Sequence, residues 1–351
     1  MKVVSIVGAR PEFIQAAPVS RALRPSHQEI LVHTGQHYDY EMSAVFFQQL
    51  GLPAPDYNLG VGSGSHAWQT AQILMQMEPV LEQERPDWVI VRGDTNSTLA
   101  SALAAVKLGL PLVHIEAGLR SFNRTMPEEI NRVLTDRIAD LLFCPTETAV
   151  RNLAAEGISA GVHQVGDVMY DGLLYNLSLA QAQSTILDKF KLSSDSYLMA
   201  TVHRAGNTDM RENLAAILAA FSQAHETIIF PAHPRTRKQL VAFNLQVPPN
   251  VRLVEPLTYF DSLMLQKNAR LLLTDSGGMQ KEAYCLGTPC ITMREQTEWV
   301  ETVDAGWNMV VGADTGLIVK FIRSFQPPAE RPPLYGDGRA AEQIVNIIVN
   351  F

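Results

Sequence analysis

Short runs of apolar residues alternate with longer segments of helical periodicity along almost the whole chain. Such runs, when bounded by turn residues, are typical of strands that are buried on both faces of a sheet. They predict strands at residues 3–7, 29–33, 88–92, 112–115, 141–144, 197–201, 227–230, 251–253, 271–274 and 290–293.

Between these runs, apolar residues recur at the spacing of the buried face of a helix. The pattern predicts helices at residues 65–84, 98–108, 128–139, 211–224 and 277–286, and a closing helix within residues 336–351. Strands that alternate with helices form parallel sheets with helices on both faces. The predicted fold class is therefore α/β.

The length of the chain predicts more than one domain. Its 351 residues exceed the roughly 250–300 residues at which a single hydrophobic core stops growing. The strand pattern pauses between residues 167 and 196, where the segment SLAQAQSTILDKFKLSSDS is polar. We therefore expect an N-terminal Rossmann-like domain at residues 1–170 and a C-terminal one at residues 171–330. Residues 331–351 contain the closing helix, which we expect to pack back on the N-terminal domain.

Charge and cysteine usage exclude several classes of protein. The chain has 28 basic and 36 acidic residues and a net charge of −8, which argues against a general nucleic-acid surface. Cys144, Cys285 and Cys290 lack the spacing of a metal site, so we expect reduced thiols in the core. The first apolar run is too short for a signal sequence, and no run reaches the roughly 18 apolar residues of a membrane span. We expect a cytoplasmic protein with no nucleic-acid or membrane partner.

Charged side chains directly follow several of the predicted strands. In open α/β sheets, ligands bind at the carboxyl ends of the strands. A packed core has little use for charged groups at these places. The candidates are Arg10, Asp94, Glu116, Arg120, His203, Arg204, His233 and Arg235.

Each of these acidic candidates also has a structural interpretation when it is considered alone. Asp94 precedes the segment TNST and can serve as the N-cap of the next helix. Glu128 and Glu129 follow Pro127, and acidic residues in the first turn of a helix complement its dipole. A single Glu116 can be a hydrogen-bonded structural residue. It is the number of charged groups at strand ends that indicates a functional site.

The segment TDSGGMQKEA, residues 274–283, joins a predicted strand to a predicted helix. Gly277 and Gly278 would let a ligand approach the backbone, and the helix N-terminus would attract an anion such as a diphosphate. Glu282 lies one helical turn after Gly278 and is placed to accept hydrogen bonds from the two hydroxyls of a ribose. The alternative is a plain strand-to-helix turn that Ser276 caps.

The chain carries, in this order, the motifs GARPEFI, HTGQHYD, GDTNSTLA, HIEAGLRSFNRTMPEEINR, PTETAVRNL, VGDVMYD, PAHPRTRK, LTDSGGMQKEA and LGTPCITMREQTEW. In this order they resemble the non-hydrolysing UDP-N-acetylglucosamine 2-epimerases. The resemblance implies a GT-B architecture, in which two Rossmann-like domains face a central cleft and the C-terminal domain binds UDP. It also implies a UDP-sugar substrate, a homodimer, a role in the biosynthesis of surface polysaccharides, and chemistry that uses neither NAD nor a metal.

The resemblance assigns roles to particular residues of this chain. The implied catalytic residues are Asp94, Glu116, Glu128, Arg132 and His203. The implied substrate-binding residues are Arg10, Gln15, His233, Arg235, Ser276, Gly277, Gly278, Glu282 and Arg294.

The chain departs from the family pattern at three places. Many relatives carry lysine where this chain has Gln15, and the motif after His203 commonly has glutamate where this chain has Gly206. Gln36 and His37 match the start of an allosteric UDP-sugar site of some bacterial members, but the residues that follow differ. Because of Gln15 and Gly206, the turnover rate and the identity of the UDP-sugar substrate stay open. Because of the residues after Gln36 and His37, allosteric activation by a UDP-sugar stays open.

The family's reaction is an elimination followed by an addition. UDP leaves C1 as the C2 proton is removed, a 2-acetamidoglucal forms, and UDP adds back with a proton delivered to the opposite face. This route needs acid–base groups on both faces of the sugar, for which we expect Asp94, Glu116 and Glu128. It also needs cationic or N–H groups for the departing diphosphate.

Four alternatives to this reading stay open. One is a hydrolysing 2-epimerase that releases UDP and the free sugar. Another is a 2-epimerase for a modified UDP-sugar such as a diacetamido uronic acid. The remaining two are a glycosyltransferase of the same architecture and a UDP-sugar sensor without catalysis. The number of carboxylates argues against the last two, since a plain binder of an anion should avoid them.

Overall fold

The computed structural model describes residues 1–36 and 50–351. The chain divides into two compact units. Unit 1 comprises Met1–Leu174 and Tyr335–Phe351, and unit 2 comprises Tyr175–Leu334. The chain therefore leaves unit 1 once and returns to it with its C-terminal segment.

Unit 1 is built around a parallel sheet with the strand order β3-β2-β1-β4-β5-β6-β7. Its strands are β1 Lys2–Val7, β2 Gln28–His33, β3 Tyr57–Asn58, β4 Trp88–Arg92, β5 Leu112–Ile115, β6 Leu141–Cys144 and β7 Val162–Gln164. Its helices are α1 Arg10–Leu23, α2 His66–Glu84, α3 Asn96–Lys107, α4 Pro127–Ile138, α5 Glu147–Ala155, the first part of α6 Val168–Gln183, and the C-terminal helix α15 Ala340–Asn350.

The order of the strands determines which loops meet in unit 1. The chain adds strands outward from β1 to β3, then returns to place β4 on the other side of β1. This reversal is the switch point of a Rossmann fold, where ligands bind beyond the carboxyl ends of the strands. In-register pairs Ser5–Ile90 and Arg92–Ile115 bring the ends of β1, β4 and β5 to the same edge.

Apolar side chains cover both faces of this sheet, as parallel strands require. On one face, Val3 and Ile90 belong to a core that includes Ile344 and Ile348 of α15. On the other face, Ile6 belongs to a core with residues of α2 and α3. The C-terminal helix is therefore part of the core of unit 1.

Unit 2 is built around a second parallel sheet, with the order β10-β9-β8-β11-β12-β13 and a switch point between β8 and β11. Its strands are β8 Leu198–Thr201, β9 Ile228–Pro231, β10 Val251–Val254, β11 Leu271–Thr274, β12 Cys290–Thr292 and β13 Asn308–Val310. Its helices are α7 Ile186–Phe190, α8 Ala205–Thr208, α9 Arg211–Ser222, α10 Pro234–Ala242, α11 Tyr259–Asn268, α12 Gly277–Leu286, α13 Val300–Asp304 and α14 Thr315–Ser324.

The structure confirms the α/β class and most of the predicted elements. β4, β5, β6, β11 and α12 have the predicted bounds. The strands that the pattern did not predict, β3, β7 and β13, have two or three residues each and lie at the edges of the sheets. The segment around residues 167–196, where the strand pattern pauses, is mainly helical, because half-exposed helices also lack the apolar runs of strands.

Burial explains the state of the cysteines. All three cysteines are buried, and burial raises the pKa of Cys144 and of Cys290 to about 12, which keeps both thiols protonated at neutral pH. Within the ranges 1–36 and 50–351, we find no helix whose length and apolar character would let it cross a membrane.

Candidate active site

Asp94 lies in the loop after β4, at the switch point of unit 1. Its carboxylate is ion-paired with Arg132 of α4, and the two side chains are 32% and 14% exposed. The N-cap of α3 is the next residue, Thr95, whose hydroxyl accepts a hydrogen bond from the Thr98 N–H. The interpretation of Asp94 as a helix cap is therefore wrong, and its carboxylate is available at the edge of the sheet.

Glu116 follows β5 and has an unusual backbone conformation. Its φ is +70°, in the left-handed region that residues with a side chain rarely adopt. A hydrogen bond of 3.1 Å from its N–H to the Phe143 carbonyl of β6 holds it there. A Cβ atom added to Gly93 would lie 3.6 Å from Glu116 Oε2, so the carboxylate packs over the turn that leads to Asp94. Backbone strain of this kind clusters at functional sites.

The two acidic residues in the first turn of α4 have different environments. Glu129 is buried and accepts hydrogen bonds of 2.9 Å from the Ser121 N–H and hydroxyl, the Phe122 N–H and Arg132. Burial opposes its charge, but these donors hold the pKa of Glu129 below its usual range. Glu128 is partly exposed, and no described residue forms a hydrogen bond or ion pair with it. Glu129 is thus an anchor for the 121–122 turn and for Arg132, a role that the sequence did not suggest.

Arg10 is the first residue of α1, directly after the loop that follows β1. Glu12 holds this loop, since its carboxylate accepts hydrogen bonds from the Gly8 and Ala9 N–H groups and from the Thr95 hydroxyl. The carboxyl group is completely buried, and burial raises its pKa despite these donors. Glu12 therefore links the loop after β1 to the loop after β4, which carries Asp94.

Gln15 lies one turn further along α1 and is only 2% exposed. Its Oε1 has no hydrogen-bond partner within the part of the chain that the structure describes. A Cβ atom added to Gly93 would lie 3.9 Å from this oxygen. A buried acceptor without a donor is costly and is retained in native proteins chiefly for a reason such as function.

Arg120, another strand-end candidate, is a structural residue. Its side chain is 1% exposed and forms ion pairs of 2.7 Å with Asp136 and 2.6 Å with Glu156. Gln36 is similarly engaged, since its Oε1 accepts hydrogen bonds from the N–H and hydroxyl of Ser97. His37, its neighbour in the predicted allosteric motif, lies outside the described residues.

In unit 2, Asp275 joins the two loops at the switch point. It follows β11, is completely buried, and accepts hydrogen bonds from the N–H groups of His203 and Arg204 and from the side chain of Asn207. Asp275 was not among the residues predicted from the sequence, where the glycines after it drew the prediction instead. Its position directly after a buried apolar strand was the signal that could have identified it.

His203 lies in the loop after β8, with Nδ1 3.6 Å from Asp275 Oδ1 and its side chain 40% exposed. Its ring centroid is 6.4 Å from that of His233, which follows β9. Burial lowers the pKa of His203, and the charges of Arg204 and His233 act in the same direction, although Asp275 opposes them. The ring is therefore mainly neutral at pH 7 and is able to donate one hydrogen bond or to accept one.

His233 and Arg235, the two candidates that follow β9, form contacts within unit 2. His233 is the N-cap of α10, and its Nδ1 accepts the Arg235 N–H at 3.2 Å. Arg235 is exposed and ion-paired with Asp209. Gly206, in the loop after β8, has open space where a side chain would extend, so packing does not require glycine here.

The N-terminus of α12 differs in detail from the prediction. Ser276 is the N-cap, but its side chain makes no capping hydrogen bond. A Cβ atom on Gly277 would lie 2.0 Å from Glu298 Oε1, whereas one on Gly278 would meet nothing within 4 Å. Arg294 is ion-paired with the same Glu298 at 2.9 Å. The Glu298 oxygen is the far end of a flexible, half-exposed side chain that can move aside, so the space at Gly277 is filled only by a movable group, whereas Gly278 leaves open space for a ligand.

Glu282 projects from the second turn of α12 and is partly buried. The Tyr259 hydroxyl, at the start of α11, donates to its Oε1 at 3.2 Å. Tyr259 is a further polar group at the predicted ribose position, and nothing in the sequence pattern distinguished it.

Each unit thus gathers its own set of predicted residues at the carboxyl edge of its own sheet. Unit 1 places Asp94, Glu116, Arg132 and Gln15 around the Gly93 turn. Unit 2 places His203, His233 and the start of α12 around Asp275. The first set is suited to proton transfer, and the second is suited to an anion such as a phosphate.

Comparisons with known proteins identify the family. The family model for UDP-N-acetylglucosamine 2-epimerase matches residues 21–349. A UDP-N-acetylglucosamine 2-epimerase homolog of Methanococcus maripaludis is 52% identical, with 100% of both chains covered. The UDP-2,3-diacetamido-2,3-dideoxy-D-glucuronate 2-epimerase of Pseudomonas aeruginosa is 45% identical, also over 100% of both chains.

A solved structure agrees with these matches. The crystal structure of the Methanocaldococcus jannaschii UDP-GlcNAc 2-epimerase in complex with UDP-GlcNAc and UDP is similar, with a TM-score of 0.82 and 43% identity over 100% of both chains. The motifs, the two parallel sheets and these full-length matches all lead to one conclusion: the chain belongs to the UDP-N-acetylglucosamine 2-epimerase family.

Proposed function

We propose that this protein epimerises UDP-N-acetylglucosamine at C2 to give UDP-N-acetylmannosamine. The observation that carries the proposal is the pair of carboxylates after neighbouring strands, Asp94 and Glu116, which both border the Gly93 turn, with Arg132 bound to Asp94. Proton removal next to an acetamido group and proton return on the opposite face require more than one acid–base group. Glu128, partly exposed and without a described partner, is the third member of the set.

Unit 2 supplies the groups for the nucleotide. The free N–H groups at the start of α12 and the open space at Gly278 suit the diphosphate. Glu282 and Tyr259 suit the ribose hydroxyls. Ser276, whose hydroxyl makes no capping bond, His233 and Arg235 are further polar groups of this site. When UDP binds, the Arg294 guanidinium would leave its ion pair with Glu298 and bind a phosphate oxygen instead.

The reaction proceeds in two balanced steps. One carboxylate takes the C2 proton, the electron pair of that bond forms the C1–C2 double bond, and UDP departs with the electron pair of the C1–O bond. In the second step UDP adds back to C1, and a second acid delivers a proton to the opposite face of C2. Within unit 2, His203 and the α12 N-terminus stabilise the charge of the departing UDP.

The test is the purified protein with UDP-N-acetylglucosamine in heavy water, followed by NMR. The proposal predicts that the product keeps its UDP and gains one deuterium at C2, because the removed proton exchanges with solvent. Release of free UDP together with an unattached sugar would point instead to a hydrolysing 2-epimerase. Transfer of the sugar to an acceptor without exchange at C2 would contradict epimerisation.

A modified sugar is the second candidate, and a specific observation favours it. One full-length relative at 45% identity acts, by its name, on a UDP-2,3-diacetamido-2,3-dideoxy-glucuronate. This chain also carries Gln15 and Gly206 where we expect charged residues in UDP-N-acetylglucosamine enzymes. Comparing kcat/KM on the two sugars in one preparation decides between them.

We propose further that the protein acts as a cytoplasmic homodimer in the synthesis of cell-envelope polysaccharides. Met126, the N-cap of α4, and Ile130 and Leu134 within the helix recur four residues apart in unit 1 and are 38%, 45% and 46% exposed. An apolar stripe of this kind suits a second copy of the chain. Leu134→Lys should shift the sedimentation coefficient toward that of a monomer, while Met210→Lys, at an exposed methionine of unit 2, should not.

A further inference from the structure

His114, in the middle of β5, is completely buried and lies beside the proposed acid–base groups. Its Nδ1 is 2.6 Å from Asp136 Oδ1 of α4, and its Nε2 is 2.8 Å from the Gly93 carbonyl oxygen. A carbonyl oxygen only accepts hydrogen bonds, and so does an ionised carboxylate, whereas a neutral imidazole has a single N–H. With an ionised Asp136, both bonds form together only if the ring carries two protons.

The surroundings of Asp136 keep it ionised. Its Oδ2 accepts hydrogen bonds from the Gly118 N–H at 3.1 Å and from the Arg120 guanidinium at 2.7 Å. Burial opposes charge on both members of the pair, but the attraction between them prevails, raising the pKa of His114 and lowering that of Asp136. The Glu116 carboxylate adds to the attraction on His114. The proton therefore resides on His114.

The bond to Gly93 fixes the loop that carries Asp94. Gly93 turns the chain at the end of β4 with a φ of +66°, and its N–H donates to the Ile115 carbonyl at 3.1 Å. His114 holds the carbonyl of the same residue, so both polar groups of Gly93 are bonded to β5. The peptide that leads into Asp94 thus has one orientation, and Glu116 follows on the strand that provides both bonds.

We propose that His114 is a positioning residue of this active site, a buried imidazolium that orients the Gly93–Asp94 peptide and holds a positive charge behind Glu116. The proposal rests on the proposed function, in which Asp94 and Glu116 are acid–base groups. His114 itself donates no proton to the substrate, because both of its N–H groups are bonded within the protein. The positive charge of His114 favours the ionised form of the nearby Glu116 carboxylate, as a base that removes a weakly acidic proton requires.

The protonation state is measured without any variant. Histidine labelled with nitrogen-15 in the full-length protein gives different ring signals for an imidazolium and for either neutral tautomer. We expect the His114 ring to show two protonated nitrogens at pH 7 and to lose one proton only at higher pH. A single protonated nitrogen at pH 7 would overturn the proposal.

The effect on catalysis is measured with Asp136→Asn. An asparagine amide can donate to His114 Nδ1 while the neutral ring keeps its hydrogen bond to the Gly93 carbonyl. Both hydrogen bonds of the ring therefore persist, and the net charge of the pair at positions 114 and 136 stays zero. We expect kcat to fall roughly 10- to 100-fold, as for other partners that orient and charge a catalytic group, with little change in the Kd for UDP. The alkaline fall in kcat, where wild-type His114 loses its proton, should disappear in this variant.

Asp140→Asn is the matched control. Asp140 accepts the Leu112 N–H at 2.8 Å, at the opposite end of the same strand, and its substitution should leave kcat unchanged. A folded Asp136→Asn protein with wild-type kcat would refute the positioning role. If Asp136→Asn does not fold, the nitrogen-15 spectrum of the wild type decides alone. Absence of C2 exchange in the wild type would remove the proposed function but leave the imidazolium result intact.

Discussion

The guanidinium of Arg132, in the second turn of α4, is ion-paired with the carboxylate of Asp94 in the loop after β4. Arg132 also donates to Glu129, at 2.9 Å. Arg132 therefore links two carboxylates. One is the buried Glu129 in the first turn of α4, and the other is Asp94 at the carboxyl edge of the sheet. Asp94 is kept in place by Arg132 on one side and by the Gly93 turn on the other, as a group with a defined role in proton transfer requires.

Asp94→Asn should lower turnover by roughly 10²–10⁴-fold, the range for a general acid–base group. The amide keeps the shape of the side chain but neither accepts nor supplies the proton. The Kd for UDP, measured by calorimetry, should stay close to the wild-type value because unit 2 is proposed to bind the nucleotide. Asp87→Asn is the control, since Asp87 accepts the Lys2 N–H at the other end of the same strand. A wild-type rate for Asp94→Asn would exclude Asp94 from the chemistry.

Gln15→Met should increase stability and decrease activity. The Gln15 side chain is buried and its Oε1 lacks a described donor, and leaving such a group unpaired costs about 1–3 kcal/mol. Methionine has nearly the same shape without the polar atoms, so the midpoint of thermal unfolding should rise. Turnover should fall if Oε1 accepts a hydrogen bond from the substrate. A rise in stability without any loss of turnover would mean that Gln15 does not act on the substrate.

Gln15→Lys tests the departure from the family pattern. Lysine would place a charge near Glu116 Oε2, because both side chains border the Gly93 turn. We expect turnover on UDP-N-acetylglucosamine to rise, and the change to depend only weakly on salt because the position is buried. Steady-state kinetics at two ionic strengths measure both effects. A lower rate at each would indicate that the site is built around the amide, and would favour the diacetamido sugar.

Glu282→Ala should weaken UDP binding and leave turnover at saturating substrate much less affected. The carboxylate is proposed to accept the ribose hydroxyls, and a lost hydrogen bond to a charged group costs about 1.5–3 kcal/mol, or roughly 10- to 100-fold in Kd. Tyr259→Phe, which removes the donor to Glu282, should have a smaller effect in the same direction. Glu212→Ala, in the first turn of α9, is the control. Unchanged UDP binding in Glu282→Ala would show that the ribose binds elsewhere.

Gly277→Ala and Gly278→Ala should differ in a way that separates packing from ligand binding. Alanine at 277 meets Glu298 Oε1 at 2.0 Å, whereas alanine at 278 meets no protein atom within 4 Å. Because that oxygen is the far end of a flexible, half-exposed side chain, it can move aside, and Gly277→Ala should change the unfolding midpoint only slightly while displacing Glu298. Gly278→Ala should leave the midpoint unchanged and weaken UDP binding. Normal UDP affinity in Gly278→Ala would mean that no phosphate approaches this part of the backbone.

The sequence by itself determined the α/β class, the bounds of most central strands and many of the charged residues at their ends, although Asp275 was missed. Buried parallel strands are rich in apolar residues, as in β4, β5 and β11, and an acidic residue follows each of these three within two positions: Asp94, Glu116 and Asp275. The motif order was sufficient to indicate the family. Short edge strands such as β13 were missed because three residues carry no readable period.

Only the tertiary structure decided which charged residues form the site and which support it. Glu128 and Glu129 are neighbours in one helical turn, yet only Glu129 is buried against the 121–122 turn, because helical rotation points consecutive side chains in different directions. Asp136, 22 residues from His114 along the chain, contacts it because α4 packs beside β5. Such pairings depend on which faces of the elements meet, and no local pattern encodes that.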